Sequence, residues 1–144
     1  MKRPVLQIVR GVPGTGKSTW ARDHFPGLIL ENDYFHCHSC IYEYDVNRMK
    51  KAMNFVRETT ERALSLGMDV CIANTFTRKK YVDFYKGIAE KYNANFRVIR
   101  MMHEFGNVHN VPKNVLENMK NTFENYPGEI LYNWKTDTYI ETSK

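Results

Sequence analysis

The residues with the clearest chemical meaning form a glycine-rich segment near the start of the chain. Its members, in the pattern G-x-x-x-x-G-K-S, are Gly11, Val12, Pro13, Gly14, Thr15, Gly16, Lys17 and Ser18. Glycines at this spacing let successive backbone N–H groups turn inward around phosphate oxygens. In such a loop the lysine reaches the outer phosphates of a nucleoside triphosphate, and the serine hydroxyl binds Mg²⁺. The segment therefore predicts a site for ATP and Mg²⁺, and we include Thr19, the next residue, in the nucleotide site.

The elements on either side of this loop are those that a phosphate site requires. Residues 5–9 are almost all apolar, which predicts a strand buried on both faces. Residues 18–24 predict a short helix that ends before Pro26, because a proline excludes the residue before it from the helical region. The helix adds the positive end of its dipole to the loop. A glycine-rich turn that only joins a strand to a helix is the weaker interpretation.

The rest of the chain alternates strands with helices. Further buried strands are predicted at 28–30, 70–73 and 96–99. Helices are predicted at 45–67, at 77–92 and from 112 to just before 127, with Asp45 and Thr77 as caps. Residues from Glu129 onward give no clear pattern. This alternation predicts an α/β fold, with a parallel sheet of about four to five strands between two layers of helices.

Length and composition limit the class of protein. The chain has 144 residues, 42% of them hydrophobic and 26% charged, which predicts one globular domain spanning 1–144. No uncharged stretch approaches the roughly 18 apolar residues of a membrane span. Three cysteines favour a reducing compartment, so we expect a cytoplasmic protein. The net charge of +5 is compatible with a polyanionic ligand and equally with ordinary solubility. Nothing in the pattern predicts an oligomeric state.

Taken together with the loop, further segments resemble the polynucleotide-kinase-like P-loop kinases, whose best-known member is the phage 5′-polynucleotide kinase domain. These segments are GVPGTGKSTWAR at 11–22, ENDYF at 31–35, Asn74-Thr75, and NVHNVP at 107–112. The resemblance covers about residues 5–124. It implies a P-loop NTPase fold and ATP- and Mg²⁺-dependent transfer of a phosphoryl group to a hydroxyl. The acceptor it favours is the 5′-OH of a nucleic acid or a nucleotide.

The resemblance also implies roles for particular residues. Asp33 matches the acid that receives the proton of the acceptor hydroxyl and lies near the metal, although an aspartate that caps a turn is the alternative. Asn74 and Thr75 match a position that contacts the acceptor or a water, and the alternative is that they cap the next helix. His109 matches a histidine that part of the family carries beside the nucleotide. The alternative for His109 is an ordinary surface histidine.

The chain departs from the family in its lid, where arginines usually neutralise the transferred phosphoryl group. No arginine lies between Arg100 and Lys113, and Gly106 stands where one is expected. We expect Arg100, at the end of the fourth strand, to supply the missing positive charge, while an ion pair with a surface carboxylate is the alternative. His36 replaces an arginine that would grip a phosphate of the acceptor.

A basic run at the predicted start of the third helix is a further candidate for substrate contact. Arg78 begins this run and is followed by two lysines. Because cations at a helix N-terminus oppose the helix dipole, we assign Arg78 to the binding of nucleic acid phosphates, with a solvated helix turn as the alternative. The leading function is thus an ATP-dependent kinase of nucleic acid or nucleotide hydroxyls. A small-molecule P-loop kinase and a non-catalytic nucleotide-binding regulator are the alternatives, the second because the lid arginines are missing.

Overall fold

The computed structural model describes residues 2–31, 37–38, 41–42, 46–106 and 111–144. The strands are β1 Val5–Arg10, β2 Leu28–Leu30, β3 Cys37–His38, β4 Ile41–Tyr42, β5 Val70–Asn74, β6 Asn95–Met101, β7 Ile130–Asn133 and β8 Thr138–Glu141. The helices are α1 Lys17–His24, α2 Val46–Ser65, α3 Lys79–Lys91 and α4 Lys113–Thr122. Among the described residues, no helix has the length and apolar character needed to cross a membrane.

A six-stranded sheet with the order β2-β5-β1-β6-β7-β8 forms the centre of the fold, and β3 and β4 pair separately. Strands β2, β5, β1, β6 and β7 are parallel, whereas β8 is antiparallel to β7. The carboxyl ends of the parallel strands share one edge of the sheet, which we call the carboxyl edge. In open sheets of this kind, ligands bind at that edge.

Helices cover both faces of the sheet, as the sequence predicted. Because alternate residues of a strand point to opposite faces, Ile8 and Val9 of β1 belong to different apolar clusters. The Ile8 cluster includes residues of α2 and α3, and the Val9 cluster includes Trp20 of α1. The predicted α/β sandwich is therefore confirmed.

Two sequence predictions differ from the structure at the ends of elements. The segment from Glu129 onward forms the β7–β8 hairpin. The sequence did not predict it, because all residues of β8 are exposed and the strand has no alternation of apolar and polar residues. The predicted cap of α3 by Thr77 is wrong, because Arg78 is the N-cap residue and its side chain makes no capping bond. Instead, the carboxylate of Glu124 accepts the backbone N–H of Lys79 at 2.9 Å. The predicted cap at Asp45 lies outside the described residues.

Candidate functional site

The glycine-rich loop joins β1 to α1 at the carboxyl edge. Gly14 and Gly16 have φ angles of 84° and 77°, in the left-handed region that favours glycine. Gly16 is the N-cap residue of α1, and no side chain caps the helix there. The first N–H groups of a helix need partners from outside the helix, and a bound anion can supply them. The loop therefore fits a phosphate group.

Residues from distant parts of the chain pack against the outside of this loop. The backbone N–H of Phe105 donates to the carbonyl of Gly14 at 2.8 Å, and Nε1–H of Trp134 donates to the carbonyl of Thr15 at 3.1 Å. A Cβ atom added to Gly14 would collide with the carbonyl oxygen of Gly106, and one added to Gly16 would lie 2.6 Å from Trp134 Nε1. The glycines are thus required for packing as well as for backbone conformation.

Lys17 and Ser18, the first two residues of α1, direct polar groups toward the loop and the carboxyl edge. The Lys17 side chain is 8% exposed, and its Nζ donates to the carbonyl of Val12 at 3.1 Å. The Ser18 hydroxyl donates to the carboxylate of Glu31, which follows β2 and is largely buried. A hydroxyl and a carboxylate are the hard oxygen ligands that Mg²⁺ prefers. Ser18 and Glu31 therefore fit a Mg²⁺ site beside the phosphate-binding loop.

Glu31 is a site residue that the sequence interpretation passed over in favour of Asp33. Both acids belong to the same short segment after β2; Glu31 contacts Ser18, and Asp33 lies outside the described residues. The carboxylate also affects Cys71 in β5, whose pKa rises to about 12, chiefly because the thiol is buried and secondly because of the negative charge of Glu31. The Cys71 thiol is therefore inert.

The predicted acceptor residues Asn74 and Thr75 lie at the carboxyl edge beside the loop. Asn74 ends β5 in register with Arg10 of β1, and the carbonyl of Thr75 accepts the N–H of Gly11 at 3.2 Å. The alternative that these two residues cap α3 is wrong, because the helix begins after Arg78. Their contact with an acceptor stays a prediction.

Arg10, the last residue of β1, is fully buried and joins three segments of the chain. Its guanidinium donates to the carboxylate of Glu129 at 2.7 Å, to the carbonyl of Phe76 at 3.1 and 2.7 Å, and to the carbonyl of Glu124 at 2.8 Å. Burial lowers the pKa of Arg10, and the bond to Glu129 opposes that change. These bonds connect the strand before the loop to the β5–α3 connection and to the segment before β7.

Arg100 lies next to this network at the end of β6. It lines a cavity of about 220 Å³ together with Gly11, Val12 and Thr15 of the loop. Its guanidinium donates to Oδ1 of Asn125 at 2.6 Å and lies 3.7 Å from the Glu129 carboxylate. The alternative interpretation is an ion pair with a surface carboxylate. Arg100 does face a carboxylate, but that of Glu129 is buried, with 2% of its side chain exposed.

The catalytic role of Arg100 stays a prediction. If Arg100 neutralises charge on the transferred group, Arg100→Ala should lower kcat by more than about tenfold while ATP affinity stays near wild type. Steady-state kinetics at varied ATP measure kcat and the dependence on ATP, and urea unfolding measures the stability of the same variant. Arg100→Lys is the control, since it keeps the charge and should recover part of kcat. A loss of stability with unchanged kcat would show that Arg100 only supports the segment before β7.

The remaining predicted site residues divide into two groups. Arg78 is exposed as the N-cap of α3. Asp33, His36 and His109 lie outside the described residues, so their roles stay predictions.

Comparison with known proteins identifies the family. A family model described as an AAA domain matches residues 6–105, which is most of the chain. Kti12 of Chaetomium thermophilum in complex with ADP-AlF3 has a similar structure, with 14% identity, a TM-score of 0.68, and 92% of this chain and 90% of that chain covered. A sugar kinase from Janibacter sp. HTCC2649 is 18% identical at a TM-score of 0.64, with 86% of its length and 92% of this chain covered.

A third similar structure is a chain of the Pnkp1/Rnl/Hen1 RNA repair complex. It is 16% identical at a TM-score of 0.60, and the match covers 99% of this chain but only 50% of that one. At these identities the structures establish the fold alone. The family match shows that this chain belongs to the AAA-domain family, and its glycine-rich loop lies on the fold that these structures share.

Proposed function

We propose that the chain is an ATP- and Mg²⁺-dependent kinase that transfers a phosphoryl group to a hydroxyl of a nucleic acid or nucleotide, most readily the 5′-OH. The observation that carries the proposal is the convergence of three features at one point. The start of α1 has no side-chain cap. The Lys17 ammonium donates to the carbonyl of Val12 in the loop, and the Ser18 hydroxyl donates to the Glu31 carboxylate. An anion, its counter-charge and a metal can all be held there.

We assign the binding and catalytic roles to residues of this chain as follows. Residues 11–19 hold the phosphates of ATP, with His109 as a further contact, and Ser18 with Glu31 or Asp33 holds Mg²⁺. When bound, Mg²⁺ neutralises charge on the phosphates. Asp33 orients the acceptor hydroxyl and takes its proton, while His36, Asn74, Thr75 and Arg78 bind the rest of the acceptor. Phosphoryl transfer needs this positioning and little covalent chemistry from the protein.

Two observations support a nucleic acid acceptor. The motifs after β2, after β5 and before α4 resemble those of polynucleotide kinases, and one structural neighbour is part of an RNA repair complex. A small-molecule acceptor is the second candidate, since another neighbour is a sugar kinase. A non-catalytic nucleotide-binding regulator is the third, because no arginine stands between Arg100 and Lys113.

One experiment separates these three functions. Radiolabelled ATP is incubated with the protein and with a panel of 5′-OH oligonucleotides, nucleosides and sugars, while ATP binding is measured in parallel. Transfer to oligonucleotides or to the 5′-OH of nucleosides supports the proposal, and transfer only to sugars supports the small-molecule kinase. Intact ATP binding without transfer to any acceptor supports the regulator.

The two acids after β2 should respond differently to neutral substitution. We expect Asp33→Asn to lower turnover by about 10²-fold or more with little change in ATP affinity, since an acceptor-side carboxylate acts mainly in the transition state. Glu31→Gln is the matched control, and it should instead raise the Mg²⁺ concentration needed for half-maximal rate. Kinetics at varied ATP and Mg²⁺ measure both. If Asp33→Asn greatly weakened ATP binding and spared turnover at saturating ATP, Asp33 would be a metal or folding residue instead.

We also propose that residues 1–144 form a single P-loop kinase domain. The match of 92% of the chain to a sugar kinase structure and to Kti12 supports this. A cytoplasmic location, expected from the cysteine content, stays a prediction.

A further inference from the structure

A second cavity, of about 590 Å³, lies away from the glycine-rich loop between α3 and the segment that leads into β7. Phe96 and Val98 of β6 contribute apolar lining, and Tyr126 and Ile130 lie on the side of β7. The cavity is larger than the space beside Arg100, and none of the residues assigned above to the nucleotide lines it. It is therefore a separate feature of the surface.

The cavity exists because the sheet is incompletely covered at this point. Strand β6 begins at Asn95, but β7 pairs with it only from Ile99 onward. Helix α4, which connects these two strands, has no buried residue. Within the described part of the chain, the first half of β6 therefore has neither a neighbouring strand on the β7 side nor α4 packed over it.

Positive charge surrounds this opening. The lining includes Lys79 and Lys86 of α3, Arg97 of β6 and Lys144, and all four residues are exposed. Their side chains form no ion pair with any residue that the structure describes. The acid in the lining is Asp83, whose carboxylate accepts the hydroxyl of Tyr126 at 2.6 Å. The described residues of the lining therefore include four with cationic side chains and one with an acidic side chain.

The same charge continues to the carboxyl edge of the sheet. Arg78 and Lys79 stand at the start of α3, and Lys86 is two helical turns further on, about 10 Å along the axis. The carboxylate of Glu124 accepts the backbone N–H of Lys79 at 2.9 Å, so the start of α3 is already capped and an anion would be held by the side-chain cations.

Arg97 alternates with Phe96 and Val98 along β6, so its side chain lies on the other face of the sheet. We define the basic groove as Arg78, Lys79, Lys86 and Lys144.

We propose that the basic groove binds the phosphates of a single-stranded nucleic acid whose reacting end lies at the carboxyl edge. This inference rests on the proposed kinase function and extends it to a second contact with the same substrate. A groove that pairs cations with an apolar lining suits a single strand, because its bases are free to contact apolar side chains while its phosphates meet the cations. A duplex would keep its bases stacked inside and leave that lining uncovered.

The test measures binding without catalysis. The probe is a single-stranded dodecamer with a 5′-phosphate and a 3′-fluorescein, which cannot act as a 5′-OH acceptor, and its anisotropy is recorded over a range of salt concentrations. Each lost phosphate contact lowers the slope of log affinity against log salt by about 0.7. We therefore expect Lys79→Gln/Lys86→Gln to lower the slope by about 1.4 and the affinity more than about tenfold.

The control is Arg62→Gln/Lys135→Gln, which removes the same net charge at exposed positions outside the groove. It should change the slope by less than half as much as the groove variant. Equal effects of the two variants would overturn the proposal, because binding would then follow net charge alone. Competition by polyglutamate as effective as competition by unlabelled strand would also overturn it, in favour of an acidic protein partner.

Failure of this inference and failure of the proposed function are distinguishable. If the groove binds the dodecamer but no acceptor is phosphorylated, the kinase function fails and the binding site stands. If oligonucleotides are phosphorylated and the groove variant matches wild type in both affinity and salt slope, the groove proposal fails and the kinase function stands.

Discussion

Lys17→Ala is expected to reduce phosphoryl transfer by about 10³-fold or more while leaving the fold intact. The side chain is nearly buried, but its ammonium contacts the carbonyl of Val12 in the loop, and Lys17 belongs to neither apolar cluster. Its loss removes a positive charge beside the expected site of the outer phosphates and no member of either apolar cluster. Transfer of radiolabel from ATP, with thermal unfolding of the same samples, measures both expectations.

The exposed Lys135 provides the control for this substitution. Lys135→Ala removes the same charge from the β7–β8 turn and should keep wild-type turnover. Turnover near wild type in Lys17→Ala would contradict the assignment of the loop. A large fall in its unfolding temperature would instead show that the ammonium holds the loop together before any nucleotide binds.

The second large effect concerns stability. Arg10→Met should lower the free energy of unfolding by about 3–5 kcal/mol, because it leaves the buried carboxylate of Glu129 without its closest partner. Arg10 and Glu129 are 0% and 2% exposed and lie 2.7 Å apart. The substitution also removes the donors to the carbonyls of Phe76 and Glu124. Urea unfolding followed by circular dichroism measures the change.

A double variant distinguishes the loss of the charge pair from the loss of packing. Arg10→Met/Glu129→Leu removes both charges and should be more stable than Arg10→Met alone, since the unpaired carboxylate is gone. Arg57→Ala breaks an exposed pair and should cost less than about 1 kcal/mol. If Arg10→Met cost no more than Arg57→Ala, Arg100 would have taken over the partnership with Glu129.

The sequence predicted the features that depend on local pattern. The apolar run of β1, the spacing of Gly11 to Ser18 and the following helix are contiguous, so short-range rules suffice for them. Arg10 shows where such rules stop. As an arginine at the end of an apolar strand it was not expected in the interior, because its partner Glu129 is 119 residues away. Only the folded chain brings the two charges together.

The same limit applies to the site itself. The pattern after β2 contains two acids within three residues, and no rule of spacing chooses between Glu31 and Asp33. The cap of α3 was misassigned to Thr77 because the true acceptor, the Glu124 carboxylate, comes from a distant segment. The residues around Trp134 show no helical or strand pattern in the sequence, yet its indole donates to the carbonyl of Thr15 in the glycine-rich loop.

The contact of Trp134 with the carbonyl of Thr15 gives the loop an intrinsic optical label. The other tryptophan of the chain, Trp20, is 7% exposed, and its Nε1–H donates to the hydroxyl of Tyr139 instead. Indole emission depends on the hydrogen bonding and hydration of the ring, so a change in the loop backbone acts directly on one of the two fluorophores. Replacing Trp20 by phenylalanine would leave Trp134, which contacts the phosphate-binding loop, as the single tryptophan of the chain, so that tryptophan emission would report on the loop without any attached dye.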